Sequence, residues 1–235
     1  MKKLYLVCLA TMFAVSVRSQ ANDVDVSLSM EVVNDYIWRG QDLGEVSLQP
    51  SLDLSFRGFY GNVLGNIGLS DLSDTKEVDI TVGYKTGGLN IGVSDWWFSR
   101  GGDPQGRYFK YDAHTTNHIL EANIGYDFGV VGFQWYTNIA GNDGVNNDGK
   151  RAYSSYAEAN VPFKVCKLDW LATAGVVPTA TTYYGTTGFA VTNLTIKAVK
   201  EISVTERFSI PVFAAITANP CSQKAYFVFG VKLRH

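Results

Sequence analysis

From Val24 onward the chain alternates apolar and polar residues over segments of about ten, and clusters of Gly, Asn, Asp and Ser part each segment from the next. A period of two puts successive side chains on opposite faces of an extended strand, so this pattern demands sheet and excludes amphipathic helix. In one segment Val46, Leu48, Leu52, Leu54 and Phe56 share a face, opposite Ser47, Gln49, Ser51, Asp53, Ser55 and Arg57. Pro50 falls on the apolar face and has no N–H to give, which predicts a bulge or a break there. Such segments cover 24–38, 46–57, 59–70, 76–86, 88–98, 116–127, 131–141, 151–162, 165–176, 188–200, 206–218 and 223–235. The fold they predict is all-β, an up-and-down antiparallel transmembrane β-barrel of about 12 strands, an even number as bacterial barrels require.

The connections sort by parity. With the first strand rising from the periplasm, the odd connections lie around Gln41, Asp71, Gly101 to Thr115, Asn142 to Gly149, Val177 to Thr187 and Asn219 to Ser222, and several are long. The even ones, around Gly58, Gly87, Gly129, Lys164 and Thr205, are tight. Short periplasmic turns and long external loops characterise membrane barrels, whereas a soluble sandwich has no reason to sort its loops. Hydrocarbon tolerates only a sheet without open edges, so the first and last strands must meet. Val24 to Trp38 is expected to pair antiparallel with Gln223 to His235. The aromatics predict two interfacial girdles. Tyr36, Trp38, Trp96 to Phe98, Tyr108 to Tyr111, Tyr153, Tyr156, Tyr183 and Tyr184 form the external one, and Phe56, Phe59, Tyr84, Tyr126, Phe128 and Phe163 the periplasmic one.

The N-terminus predicts export. Lys2 and Lys3 precede an apolar run from Leu4 to Val17 and a small-x-small site at Ser19-Gln20-Ala21. The run is shorter than the roughly 20 residues of a transmembrane helix. Residues 1–21 therefore read as a cleaved signal and 22–235 as one barrel domain, bound for the bacterial outer membrane through the periplasm. Outer-membrane lipid is the expected surrounding. A formal charge of −2 and a pI near 5.9 supply no basic field for nucleic acid.

Few residues promise chemistry. Cys166 and Cys221 remain after the signal is removed, but loop parity puts them at opposite ends of the barrel, about 25 Å apart. Two free thiols are expected, since a disulfide needs Cα atoms within about 7 Å. His114 and His118, with Asp112 and Glu121 nearby, would suit a metal on a helix, whereas on a strand residues four apart are about 13 Å apart. They read as a rim pair without a ligand. The loop from Asn142 to Gly149 is rich in oxygen ligands yet lacks the order of a calcium loop, and its residues make ordinary turns. No His is followed two places on by Ser, and no catalytic constellation, metal site or cofactor site emerges.

Charges on the polar faces are costly toward lipid and are therefore assigned to the lumen. They are Asp25, Glu31, Asp53, Glu77, Asp79, Glu121 and Glu158, with Arg57, Lys85, Lys197, Lys232 and Arg234. They define either a narrow polar pore or a plug of paired side chains, because a barrel of this size falls between filled and open interiors. The leading functional reading is a porin-like or small-solute channel selecting by charge. The others are a lipid-modifying enzyme of the membrane and a closed barrel serving as an anchor or surface platform.

The string Val33-Asn34-Asp35-Tyr36-Ile37-Trp38-Arg39-Gly40 resembles the Tyr-x-Trp-Arg-Gly signature that opens the TorF-like family of uncharacterised outer-membrane proteins. Tyr36, Trp38, Arg39 and Gly40 carry the likeness. The end of the chain, Pro211-Val212-Phe213, Asn219-Pro220 and Tyr226 to Val231, is similar to the closing hairpin of Bacteroidetes-type barrels. Gly230 and Leu233 also resemble a barrel-assembly signal, although His235 stands where an aromatic or apolar residue is usual. The resemblance implies location, fold and recruitment of the assembly machinery by the last strand. It implies no activity.

Overall fold

A computed structural model describes residues 24–70, 76–99, 106–113, 115–206 and 208–234. The signal and its cleavage site lie outside the described residues. The strands are β1 (Val24–Val33), β2 (Tyr36–Trp38), β3 (Gln41–Gly44), β4 (Ser47–Phe56), β5 (Phe59–Gly68), β6 (Lys76–Thr86) and β7 (Leu89–Ser99). They continue as β8 (His118–Asp127), β9 (Gly132–Gly141), β10 (Ser155–Val165), β11 (Leu168–Val177), β12 (Ala190–Thr205), β13 (Phe208–Asn219) and β14 (Lys224–Arg234). Twelve of them close an antiparallel barrel in chain order, while β2 and β3 form a separate two-stranded hairpin.

The seam closes between β1 and β14, from Ser29 opposite Arg234 to Val33 opposite Gly230. The expected first strand, 24–38, is therefore too long. Its wall portion ends at Val33, after which Asn34 holds β14 through its side chain as well as through its N–H, which donates to the Phe229 carbonyl. Asn34 Nδ2 donates to the Phe227 carbonyl, and Asn34 Oδ1 accepts from the Phe229 N–H. Beyond it the chain leaves the wall. At Pro50 the β4–β5 ladder is interrupted between Leu48, opposite Ile67, and Ser51, opposite Leu64, without a change of register. Pro50 costs a local break and no slip.

Alternation sorts the faces. Val82, Ile124 and Phe227 are 59%, 54% and 59% exposed on the outer wall, whereas Glu121 and Tyr156 on the inner wall are buried. An apolar exterior this continuous is suited to hydrocarbon, not water. The parity of the connections is realised. The turns at 57–58, 87–88, 128–131, 166–167 and 206–207 are short, and the connections at 34–46, 100–117, 142–154 and 178–189 are long. Arg57 and Gly58, Gly87 and Gly88, and Cys166 and Lys167 all have positive φ, the two-residue type I′ geometry that matches strand twist. Cys166 sits in a short turn and Cys221 in a connection at the other rim, and both are exposed and unbonded.

Phe56, Phe59 and Phe128 are exposed on the outer surface at the short-turn end, and Phe59 packs on Tyr84 at 4.8 Å between ring centroids. The external girdle is only partly realised. Tyr36, Trp38, Tyr156, Tyr183 and Tyr184 turn inward, for the reason given next.

Candidate functional site

The hairpin β2–β3 folds into the barrel. Its turn, Arg39-Gly40, has φ of 50° and 77°. Gly40 is required there, since a β-carbon would overlap the Thr192 carbonyl oxygen on the far wall. The Gly40 carbonyl accepts from Asn219 Nδ2 at 2.9 Å, so the tip is fixed to β12 and β13 together.

Arg39 organises the interior. Its guanidinium donates to both carboxylate oxygens of Glu121 on β8, at 2.6 and 2.9 Å, and to the Tyr184 hydroxyl at 2.7 Å. The same group lies 4.2 Å from the ring centroid of Trp38, 4.0 Å from that of Tyr136 and 4.8 Å from that of Tyr156. The planar fork satisfies a carboxylate edgewise while its faces meet aromatic quadrupoles, which a lysine could not do. Burial alone would lower the Arg39 pKa, but Tyr184 and Glu121 outweigh it and hold it well above its ordinary value.

Around this centre Trp38 stacks on Tyr184 and tilts against Trp96 of β7, with centroids 6.2 and 5.7 Å apart. Tyr36 donates to Glu77 of β6 at 2.8 Å. The hairpin thus bridges walls that are far apart in the strand order. Above it the connections 142–154 and 178–189 are knitted together, with Thr182 donating its N–H to the Val145 carbonyl and Val145 its N–H to Thr182 Oγ1. In this roof Asp143 and Asn146 accept backbone N–H groups of their own loop. That is turn chemistry.

Beneath the hairpin lies a cavity of about 330 Å³. Glu31, Gln49, Asn160, Thr173, Thr195 and Lys197 are among the residues that line it. Lys197 rests 3.9 Å over the Phe213 ring, and the neighbouring Glu31 is paired with Lys232 at 3.0 Å. β6, which carries Glu77 and Asp79, stands opposite β12, which carries Lys197, in the order of the ring. Asp79 is buried, and neither of its carboxylate oxygens meets a donor among the described residues.

The other inward charges gather in smaller groups. Asp25, Asp53 and Lys85 line one hollow near the short-turn end with Tyr60, whose ring lies 4.7 Å from Lys85 Nζ. Glu158 accepts from Tyr156 and Asn160, and Arg234 pairs with Glu201 at 2.7 Å. Arg57, expected in the lumen, instead lies in the β4–β5 turn, 5.2 Å from the ring of the outward-facing Phe56.

His118 is expected at the rim beside His114. It opens β8 on the outward parity shared with Leu120, Ala122 and Ile124. There its Nδ1 meets Asp95 Oδ1 at 2.8 Å and its Nε2 meets the Tyr108 carbonyl. His114 lies outside the described residues. Sequence reasoning missed Asp95, whose partner His118 comes from the neighbouring strand, and Tyr136, Tyr156 and Tyr184, which converge on Arg39 from parts of the chain far from it.

A closed twelve-stranded barrel whose first connection folds inward to occupy the lumen is the class that fold and site define. The chain belongs to a bacterial family of unknown function, Gcw_chp, whose model matches residues 18–202 and so includes the whole hairpin. No curated protein matches the sequence. Among solved structures, the chain is similar to the NanC porin, with a TM-score of 0.47 and 7% identity over 88% of this chain and 98% of that one. It is also similar to an outer membrane channel from Pseudomonas putida F1, with a TM-score of 0.42 and 10% identity over 94% and 97%. OmpF of Salmonella typhi, in complex with daunomycin, matches with a TM-score of 0.39 and 10% identity over 90% and 97%.

Proposed function

We propose that the protein is an outer-membrane channel for small polar solutes in which the β2–β3 hairpin is the gate. One observation carries this reading: the hairpin is held across the lumen by the buried ion pair of Arg39 with Glu121, above a polar cavity of about 330 Å³. A permanently filled barrel needs no cavity lined by Lys197, Asn160 and Thr195, and an open porin needs no latch. Export after cleavage near Ala21, and insertion through the last strand by the barrel-assembly machinery, belong to the same proposal. The apolar exterior supports the location.

The lipid-modifying alternative finds its best candidate in His118 on the outer wall. Both ring nitrogens are already engaged, by the Asp95 carboxylate and the Tyr108 carbonyl, so neither is open to a lipid substrate. Reconstitution of the full mature chain into planar bilayers tests the channel. Brief, infrequent openings are expected of the native protein and sustained conductance of Arg39→Ala. A seal as tight as protein-free bilayer from both would overturn the reading.

A further inference from the structure

The described part of the connection between β7 and β8, residues 106–113 and 115–117, lies against the outside of the barrel, where the Tyr111 hydroxyl reaches Asp95. Asp95 sits opposite Ile80 of β6 and Leu120 of β8, on the wall where Ile80 is 39% exposed, four residues inside the end of β7 at Ser99. Four strand residues span about 13 Å. A carboxylate at that depth on a lipid-facing wall is costly unless it is paired and covered. Here it is both.

His118, 1% exposed, pairs with one oxygen of Asp95, and Tyr111 donates to the other at 2.7 Å. The Tyr111 ring stacks on His118 with centroids 3.8 Å apart, and Tyr108 packs edge-on against Trp97 at 5.5 Å. Thr116 Oγ1 donates to the Lys110 carbonyl at 2.6 Å. The segment from Arg107 to Asp112 is therefore a latched strap on the outer wall.

What the strap presents outward is unlike a soluble loop. Phe109 is 91% exposed and Tyr111 54%, and both stand beside Arg107 and Lys110. Arg107, Tyr108, Phe109, Lys110, Tyr111 and Asp112 line a surface hollow of about 780 Å³, with Asp112 the one carboxylate among the described residues that line it. Asp95 does not face that hollow as a bare carboxylate, because His118 Nδ1 meets one of its oxygens and the Tyr111 hydroxyl donates to the other. Two cations beside exposed aromatics on the outer wall suit a phosphate above an acyl boundary.

We propose that this strap is a docking site for a phosphate-bearing lipid of the outer leaflet, with Arg107 and Lys110 on the phosphate and Phe109 and Tyr111 against the acyl chains. The proposal rests on the external placement of the β7–β8 connection and not on conductance, so a sealed bilayer would leave it standing.

The test is native mass spectrometry of the full mature protein in detergent, with bisphosphorylated lipid A as the probe. A one-to-one adduct is expected, weakened at least tenfold in Arg107→Gln/Lys110→Gln and at least tenfold for dephosphorylated lipid A on the native chain. Lys164→Gln, in the short turn at the opposite rim, is expected to bind as the native protein does. Migration before and after boiling confirms that each variant is folded. Phe109→Ser, which leaves both cations in place, is the second variant and should weaken binding severalfold. Equal affinity of the native chain and the double variant, equal affinity for the two lipids, or an equal loss in Lys164→Gln would each overturn the proposal.

Discussion

Arg39, at the tip of a hairpin that leaves the barrel wall after Val33, forms a two-pronged ion pair with Glu121 on β8, at 2.6 and 2.9 Å. Both side chains are almost wholly buried, 7% and 2% exposed. Removing one partner of such a pair costs about 3–5 kcal/mol, because the other charge is left buried and uncompensated.

Arg39→Ala is therefore expected to move the hairpin from docked to undocked by a hundredfold or more, at about 1.4 kcal/mol per tenfold. Single-channel recording should show long openings in place of brief ones. Replacing both partners, as Arg39→Met with Glu121→Met, should restore much of the closed time. Closed times in Arg39→Ala no shorter than in the native protein would contradict the latch.

Gly40→Ala offers the same test without touching a charge. The added carbon would collide with the Thr192 carbonyl oxygen, and the φ of 77° disfavours any β-carbon. The backbone cannot yield while Asn219 holds the Gly40 carbonyl, so the tip must lift. Increased conductance with unchanged heat-modifiable migration is expected. A variant that conducts no more than the native chain would show that the tip docks without this contact.

Acid should favour the closed state. The Asp35 carboxyl is pushed above its ordinary range by partial burial, and further by the neighbouring Asp42 and Glu45, while Tyr226 faces the same two aspartates. The docked form therefore binds the Asp35 proton more tightly than the undocked form. Docking is favoured below that raised value and weakens as pH rises through it. Open probability should fall on acidification from neutral pH, and Asp35→Asn should flatten the response. Openings that lengthen in acid would refute the assignment.

The cysteines report orientation. Cys221 and Cys166 are both exposed, at opposite rims. A membrane-impermeant maleimide applied to intact cells should label Cys221 and spare Cys166, with both labelled after the outer membrane is permeabilised. Labelling of Cys166 alone would invert the barrel.

The strand count, the chain-order ring, the two faces and the placement of the cysteines at opposite rims were all legible in the sequence, because each depends on a local property. Alternation is a two-residue repeat, and turn length is read between neighbouring segments. Leu52, Leu54 and Phe56 had to share a face whatever the rest of the chain did.

The fate of Tyr36 to Gly40 was not legible in that way. The apolar alternation is broken only at Asn34 and resumes with Tyr36 and Trp38, so the segment read as more strand, and its aromatics read as girdle. What turned it inward is the lumen itself: Glu121 lies 82 residues from Arg39 in the chain and Tyr184 lies 145 away, yet both meet one guanidinium. Likewise the sequence read His118 as a rim residue, and only the fold supplied what faces it there, Asp95 on the outer wall beneath a strap. Closing a sheet into a ring brings together side chains from distant strands around one small polar volume. The sequence by itself determined the wall of this protein, and the tertiary structure decided what fills it, since a local period holds no information about which distant charges share the same interior.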